Sequence, residues 1–119
     1  MTFKDKQLGS LTKRAEFLFV REGRYRAQGG IVVQMRKTPN SENTDPDTIR
    51  VGFTATKKIG NAVTRNRAKR RLRQIAQQLL PKFGLAGYDY VFIARDSTVK
   101  RNWDSLLQDT EKALKTLSK

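Results

Sequence analysis

The stretch from residue 49 to residue 88 carries ten Lys and Arg residues and no Asp or Glu. Within it, residues 61–80 have apolar side chains at helical spacing, and these share one stripe of a helical wheel: Ala68, Leu72, Ile75, Ala76 and Leu79. The basic residues of this segment cover the remaining arc at about 100° per residue. Such a helix has a single face for docking, so the fold must pack that stripe and display the charge.

The displayed charge is unfavourable for an isolated helix. Like charges at i and i+4, such as Arg65 with Lys69 and Lys69 with Arg73, each cost roughly a few tenths of a kcal/mol. Arg65 and Arg67 also lie near the positive end of the helix dipole, which disfavours each cation by about 0.3–1 kcal/mol. Solvated helix faces usually pair Glu with Lys, whereas phosphates relieve a one-signed field by displacing its counterions. The pattern therefore favours a polyanionic partner over a merely solvated face.

The composition of the whole chain agrees with that interpretation. The 119 residues include 25 basic and 11 acidic ones, which gives a net charge of +14. Acidic proteins, anionic membranes and nucleic acids are all admissible partners for such a chain, and nucleic acid is favoured. One domain is expected over residues 1–119, because 37% hydrophobic residues are enough for one modest core.

The residue types that are missing narrow the class further. The chain contains neither Cys nor His, so it has no disulfide framework and a zinc site is nearly excluded. Its first residues lack the apolar region of a secretory signal, and no stretch approaches the roughly 20 apolar residues that span a bilayer. We expect a cytoplasmic protein with no membrane partner.

Three helices are predicted from apolar periodicity and from residues that cap or stop helices. The first begins at Ser10 or Thr12, either of which can cap it. The second is capped by Asn61, and Pro81 and Gly84 stop it. The predicted helices cover residues 10–21, 61–80 and 102–117.

Strands are predicted where β-branched and aromatic residues alternate or cluster, at residues 31–36, 50–57 and 88–95. In the second strand Val51 and Phe53 face one side, whereas Thr54 and Thr56 face the other. Two segments carry no such pattern: residues 1–9 are expected to be flexible, and the turn-rich residues 37–48 to form a mobile loop. The order of elements predicts an α+β sandwich of helices on one sheet.

The segment KKIGNAVTRNRAKRRLR, residues 57–73, resembles the signature of the bacterial ribonuclease P protein subunit, including its Arg-Asn-Arg core at residues 65–67. Residues 11–17, 50–53 and 88–95 resemble that family in the same order, so the resemblance covers roughly residues 11–117. It implies a single α-β-β-β-α-β-α domain with a four-stranded sheet and a left-handed βαβ crossover, similar to ribosomal proteins and to domain IV of elongation factor G. Topology rules alone predict the right-handed crossover, which accounts for about 98% of such connections.

The resemblance also implies a function. The family's protein is an accessory subunit that binds a large catalytic RNA, and together they remove the 5′ leader of precursor tRNA as an endoribonuclease. The reaction uses Mg²⁺, held mainly by the RNA and the substrate. No catalytic or metal-binding residue is expected in this chain, because it has no His or Cys and its acids form no recognisable site. The expected partners are the catalytic RNA and precursor tRNA, with no obligate protein partner.

Two sets of residues follow from the resemblance, position by position. The RNA subunit would be contacted by Lys57, Lys58, Arg65, Asn66, Arg67, Lys69, Arg70 and Arg73. The single-stranded leader would lie in a groove between the first helix and the sheet, formed by Phe17, Arg21, Gln34, Arg36, Thr54 and Thr56.

The chain departs from the family at two groove positions. Val20 and Arg21 stand where an aromatic residue is frequent one turn after Phe17, and Gln34 stands where an aromatic strand residue occurs. Less base stacking and more phosphate contact is the expected consequence.

Some of these residues also have structural alternatives, and the function has two rivals. Phe17 suits the core as well as a leader platform, Phe53 is expected in the core, and Thr54 and Thr56 also suit a solvated sheet surface. A general binder of structured RNA would share the basic helix but need no leader groove. A nucleoid DNA-binding protein ranks lower, because the sequence has neither a helix-turn-helix nor a basic-zipper pattern.

Overall fold

The computed structural model describes residues 7–39 and 47–119. Its elements, in chain order, are β1 (Gln7–Ser10), α1 (Arg14–Arg21), β2 (Arg24–Gln28), β3 (Ile31–Lys37), β4 (Thr48–Thr54), a 3-10 turn (Lys57–Ile59), α2 (Ala62–Phe83), β5 (Tyr88–Ala94) and α3 (Trp103–Leu117). Most of the predicted mobile loop, residues 40–46, and most of the predicted flexible start, residues 1–6, lie outside the described residues.

One mixed sheet with the order β1-β4-β5-β3-β2 contains all of these strands. β4 is parallel to β1 and to β5, whereas β3 is antiparallel to β5 and to β2. α2 connects the parallel neighbours β4 and β5, as the resemblance implied, and the hand of that crossover stays a prediction. The predicted α+β class is confirmed.

The sheet has five strands instead of the predicted four, because residues 7–10 form β1. The prediction of a flexible segment was therefore wrong for residues 7–9. β1 pairs with β4 from Gln7 opposite Thr48 to Ser10 opposite Val51, and Leu8 packs against the main core. These contacts come from distant parts of the chain, so the short local sequence gives little sign of a strand.

The two faces of the sheet are covered differently. α2 and α3 pack on one face, and the main core between them includes the strand residues Ile31, Val33, Met35, Tyr90 and Phe92. α1 packs on the opposite face, where Leu11, Val20 and Val91 form a smaller buried cluster. Since α1 is short, it covers only part of that face.

α1 begins at Arg14, later than the predicted cap at Ser10 or Thr12. The carboxylate of Glu16 accepts hydrogen bonds from the backbone N–H groups of Thr12 at 3.0 Å and Lys13 at 2.8 Å. Glu16 is the third residue of the helix and thereby satisfies the N–H of the capping residue Lys13 and that of Thr12 before it, as in one half of a capping box, and its negative charge suits the positive end of the helix.

α2 begins as predicted but ends later. The Asn61 side chain accepts a hydrogen bond from a first-turn N–H group at 2.9 Å, and the helix then continues past Pro81 to Phe83. The Gly84 N–H closes the last turn by donating to the Leu80 carbonyl at 2.8 Å. A proline inside a helix costs about 3 kcal/mol, because it lacks an N–H and its ring crowds the preceding turn, and the extra turn is held beyond it by this hydrogen bond and by Phe83, which packs against the main core.

An ion network fixes α1 to the sheet. The fully buried Asp89 accepts hydrogen bonds from Arg50 Nε at 2.8 Å and from the Thr38 hydroxyl at 2.6 Å. The same guanidinium reaches Glu16 of α1 at 3.1 Å. The backbone N–H groups at the start of α1, and then Arg50, hold the pKa of the Glu16 carboxyl below its ordinary value. Arg50 therefore links α1 to two strands.

Replacing Arg50 with Met should lower the free energy of unfolding by roughly 3 kcal/mol, because Asp89 would remain buried without its cationic partner. Urea denaturation followed by circular dichroism measures the change. Arg14→Met is the matched control, since it removes an exposed cation from α1 and should alter stability by less than about 0.5 kcal/mol. Equal stability of the two variants would contradict an anchoring role for the network.

Candidate nucleic-acid interface

The outer face of α2 displays most of the cations predicted to contact the RNA subunit. The predicted apolar stripe is confirmed, since all five of its members are buried in the main core: Ala68, Leu72, Ile75, Ala76 and Leu79. Away from the core, Asn66, Arg67, Arg70 and Arg73 are exposed, and Arg65 and Lys69 are half-buried. The helix therefore presents a positive surface with no acidic residue of its own.

The turn before α2 adds two further cations of the predicted set. Lys57 and Lys58 are exposed in the 3-10 turn, and Gly60 follows with a φ of 146°, a backbone conformation that favours glycine. The chain then enters α2 directly, so that the positive end of the helix lies next to this turn. Helix N-terminal N–H groups together with neighbouring cations suit an anion such as a phosphate group.

Arg71 differs from the other arginines of this run because it bonds within the protein. Its guanidinium donates to the carbonyls of Thr98 and Val99, each at 2.5 Å, and to the carbonyl of Arg101 at 2.7 Å. It also lies 5.4 Å from the ring centre of Trp103. Arg71 thus joins α2 to the β5–α3 loop, and its hydrogen-bonding groups are committed to the fold.

A cleft of about 320 Å³ opens where β1 ends and β4 continues. Phe17 of α1 and Phe53 of β4 line it together with Lys69 and Arg73 of α2. The Arg73 guanidinium is 5.8 Å from the centre of the Phe53 ring. Aromatic and cationic groups therefore meet in one cleft, an arrangement that suits a nucleotide base beside its phosphate.

Phe17 and Phe53 both contribute to packing as well as to the cleft. Phe17 is half-buried and covers Gly52, where an added Cβ would lie 2.6 Å from the Phe17 ring. Phe53 meets Phe92 edge to face, with ring centres 6.0 Å apart. The predicted core role of Phe53 is confirmed, and the two alternatives for Phe17 are compatible with each other.

The sheet face beside α1 is partly open and forms the floor of a groove. The strand registers align Gly52, Val91, Gln34 and Tyr25 in one row across β4, β5, β3 and β2. The next row on the same face contains Thr54, Ile93, Val32 and Ala27. Gln34 and Thr54, both predicted for the leader groove, therefore lie on this floor, and Thr56 is exposed just beyond β4.

The two cations predicted for the groove have different surroundings. The Arg36 guanidinium donates to the Phe19 carbonyl at 3.0 Å and lies 4.0 Å from the centre of the Phe19 ring. Arg21 is exposed at the end of α1, one turn after Phe17. Arg36 thus helps to hold α1, whereas Arg21 is more accessible to a ligand.

Tyr25 and Arg71 are two residues that the sequence did not single out. β2, with the sequence RYRAQ, lacks apolar alternation, so neither the strand nor the position of Tyr25 was predicted. The pair Gly29-Gly30, which separates β2 from β3, is a hairpin signal that could have revealed them. Arg71 has no such signal, because its neighbour Arg70 has the same chemistry but is exposed.

Within residues 7–39 and 47–119, no group of three or more His, Cys, Asp or Glu side chains is placed to hold a metal ion. No helix within the same ranges is long and apolar enough to cross a membrane.

The protein is a small basic α+β protein whose surfaces suit a polyanion. A basic helix without acidic residues covers one face of its mixed sheet, and a partly open groove lies on the other face. Comparison with known proteins specifies the family. The chain belongs to the ribonuclease P protein family, since the family model described as Ribonuclease P matches residues 6–118.

Individual relatives agree with this assignment. The Ribonuclease P protein component of Caulobacter vibrioides is 50% identical over 109 residues, which cover 91% of this chain and 70% of that protein. The corresponding protein of Ruegeria pomeroyi is 49% identical over 108 residues, 90% of this chain and 84% of that protein. The solved Staphylococcus aureus RNase P protein superposes with a TM-score of 0.70 at 28% identity, over 91% of this chain and 94% of that one. The predicted family is confirmed.

Arg71 and Arg67 should respond in opposite ways when each is replaced with Met. Arg71→Met should lower the free energy of unfolding by roughly 2–4 kcal/mol, because backbone carbonyls lose a charged donor. Arg67→Met removes an exposed cation and should change stability by less than about 0.5 kcal/mol, but it should weaken RNA binding more than Arg71→Met does. Urea unfolding and RNA titration at fixed salt measure the two effects, and the reverse ranking would identify Arg71 as the RNA contact.

Proposed function

We propose that this protein binds the catalytic RNA of ribonuclease P through the outer face of α2 and holds the 5′ leader of precursor tRNA in the groove beside α1. The observation that carries the proposal is that a one-signed helix surface and a groove beside Phe17 occur in one protein and meet at the cleft lined by Phe17, Lys69 and Arg73. The complex would act in the cytoplasm as an endoribonuclease that removes the leader.

Phosphate contact accounts for the charge on α2 better than a role within the fold. Arg67 and Arg70 are exposed, and neither has a hydrogen-bond or ion-pair partner among the described residues. Repulsion between such neighbours costs free energy in the isolated protein, and neutralisation by phosphates removes that cost while releasing counterions from the RNA. Arg71, whose guanidinium is already bonded to carbonyls, is not part of the proposed contact.

The groove offers the groups that a single strand of varied sequence needs. Phe17 provides an aromatic ring, and base stacking on such a ring contributes roughly 1–3 kcal/mol without strict sequence choice. Gln34 and Thr54 on the floor provide hydrogen-bonding groups, and Arg21 provides a cation for phosphate. This combination supports leader binding through stacking and backbone contact.

In this proposal the chemistry of cleavage belongs to the RNA subunit. Mg²⁺ held mainly by the RNA and the substrate would supply the metal-assisted hydrolysis of the phosphodiester. The protein has neither His nor Cys, so it lacks the commonest general base and the commonest pairs for nucleophilic catalysis. Its own residues would neutralise phosphate charge and hold the substrate strand in place.

Cleavage of precursor tRNA by bacterial ribonuclease P RNA at low Mg²⁺ tests the proposal. We expect correct 5′ cleavage when this protein and active RNA are combined, and little cleavage with either one alone. A catalytically silent RNA combined with the protein is the control for contaminating nuclease. If the protein bound RNA but never supported cleavage, a general binder of structured RNA would be the better description.

We expect the double variant Arg65→Ala with Arg67→Ala to bind the RNA subunit with a weaker salt dependence. The slope of log K for binding against log salt concentration should become shallower by about one to two units, because up to two phosphate contacts are lost. Titrations at several salt concentrations measure the slope. The matched control, Lys82→Ala with Lys112→Ala, removes the same charge from exposed positions outside the first half of α2 and should leave the slope unchanged. A wild-type slope for the arginine variant would move the interface away from this helix.

A further inference from the structure

We propose that Tyr25 is a second stacking platform for a leader base, at the end of the groove opposite Phe17. This inference rests on the proposed function, in which the groove holds a single strand. It assigns a role to a residue on β2, a strand outside the predicted site. The ligand is one unpaired base of the 5′ leader, held through the face of its ring.

The exposure of Tyr25 requires an explanation. Its side chain is 71% exposed, more than the two other large hydrophobic residues that the described residues expose, Val63 at 60% and Leu18 at 45%. The two neighbouring arginines bond to other groups: Arg24 donates to the carbonyl of Leu117 at 2.7 Å, and Arg26 donates to the Gln28 side chain at 3.3 Å. The Tyr25 side chain makes no hydrogen bond and no ring contact within the described part of the chain, so its ring is available.

The position of Tyr25 follows from the strand registers. Tyr25 of β2 lies directly opposite Gln34 of β3, and Gln34 lies opposite Val91 of β5. Val91 pairs in turn with Gly52 of β4, which lies beneath the Phe17 ring. Directly paired residues share a face of the sheet. Tyr25 and Phe17 therefore mark the two ends of one row on the same face, separated by about three strand spacings, or roughly 14 Å.

α1 covers the middle of this row, where Val91 is buried, so a single strand between Phe17 and Tyr25 would pass along the adjacent row, in which Ile93 and Val32 are half-buried and Ala27 is exposed. A tyrosine ring beside the Gln34 amide offers a stacking surface together with hydrogen-bonding groups for a base edge. Arg21, exposed on α1, adds a cation for the connecting phosphate. Tyr25, the cross-strand neighbour of Gln34, places an aromatic ring directly beside that amide.

A purely structural role for Tyr25 makes a different prediction from a stacking role. Tyrosine favours strands, and cross-strand packing on Gln34 would stabilise the β2–β3 hairpin. Leucine keeps an apolar side chain at this position but has no aromatic face, whereas phenylalanine keeps the face and loses only the hydroxyl. Tyr25→Leu and Tyr25→Phe therefore separate stacking from packing.

The experiment measures the binding of precursor tRNA and of mature tRNA to the complex of this protein with a catalytically silent ribonuclease P RNA. Tyr25→Leu should weaken precursor binding roughly 5- to 150-fold and leave mature tRNA binding unchanged, whereas Tyr25→Phe should bind like wild type. A leader carrying 2-aminopurine at successive positions should show one quenched position that Tyr25→Leu loses. Leu18→Ala, which trims an exposed side chain outside the groove floor, is the matched control and should have no effect.

Other outcomes would overturn the inference. The variant Phe17→Leu shows whether only the role of Tyr25 fails or the whole leader groove fails. If Phe17→Leu weakens precursor binding but Tyr25→Leu does not, the leader groove stands and Tyr25 has no part in it. If neither variant changes precursor binding, the proposed leader groove itself fails. Equal losses for precursor and mature tRNA in Tyr25→Leu would indicate damage to the fold and would also reject the stacking role.

Discussion

Docking of α2 through its single apolar stripe is the constraint on which the rest of the molecule depends. Leu72 and Ile75 of this stripe are completely buried, and each such side chain stabilises the fold by roughly 1.5–3 kcal/mol. Repulsion between each pair of like charges on the outer face costs only about a few tenths of a kcal/mol. Packing therefore outweighs repulsion, and the helix forms on the sheet while its charge remains unneutralised.

Arginine has two separate uses in this fold. Arg50 and Arg71 are satisfied within the protein, the first by Asp89 and Glu16 and the second by carbonyls of the β5–α3 loop. Arg67 and Arg70 on the outer face of α2 have no hydrogen-bond or ion-pair partner within residues 7–39 and 47–119. Since Arg71 belongs to the same run as its exposed neighbours, a count of positive charges overstates the surface that is available to RNA.

Hydrophobic periodicity and helix-capping residues were enough to predict the helices that are stabilised by contacts between residues close in sequence. Asn61 caps α2, and Asn102 caps α3 by accepting from the Ser105 N–H at 3.2 Å, because a cap acts on neighbours within one turn. β1 was missed because its partner is β4, far along the chain. β2 was missed because its outward side chains do not alternate in polarity. For the candidate site, the sequence identified the basic residues, but only the strand registers revealed that Gln34 and Tyr25 are neighbours.

The cleft at the edge of β4 belongs to both surfaces, because Lys69 and Arg73 of α2 line it together with Phe17 of α1. On the proposed function, two RNA strands would approach each other across these two side chains. Two polyanions repel unless cations lie between them, so Lys69 and Arg73 would screen each strand from the other. The screening would couple the two binding events. If the RNA subunit increases the affinity of the protein for the substrate strand, the substrate strand increases its affinity for the RNA subunit by the same factor.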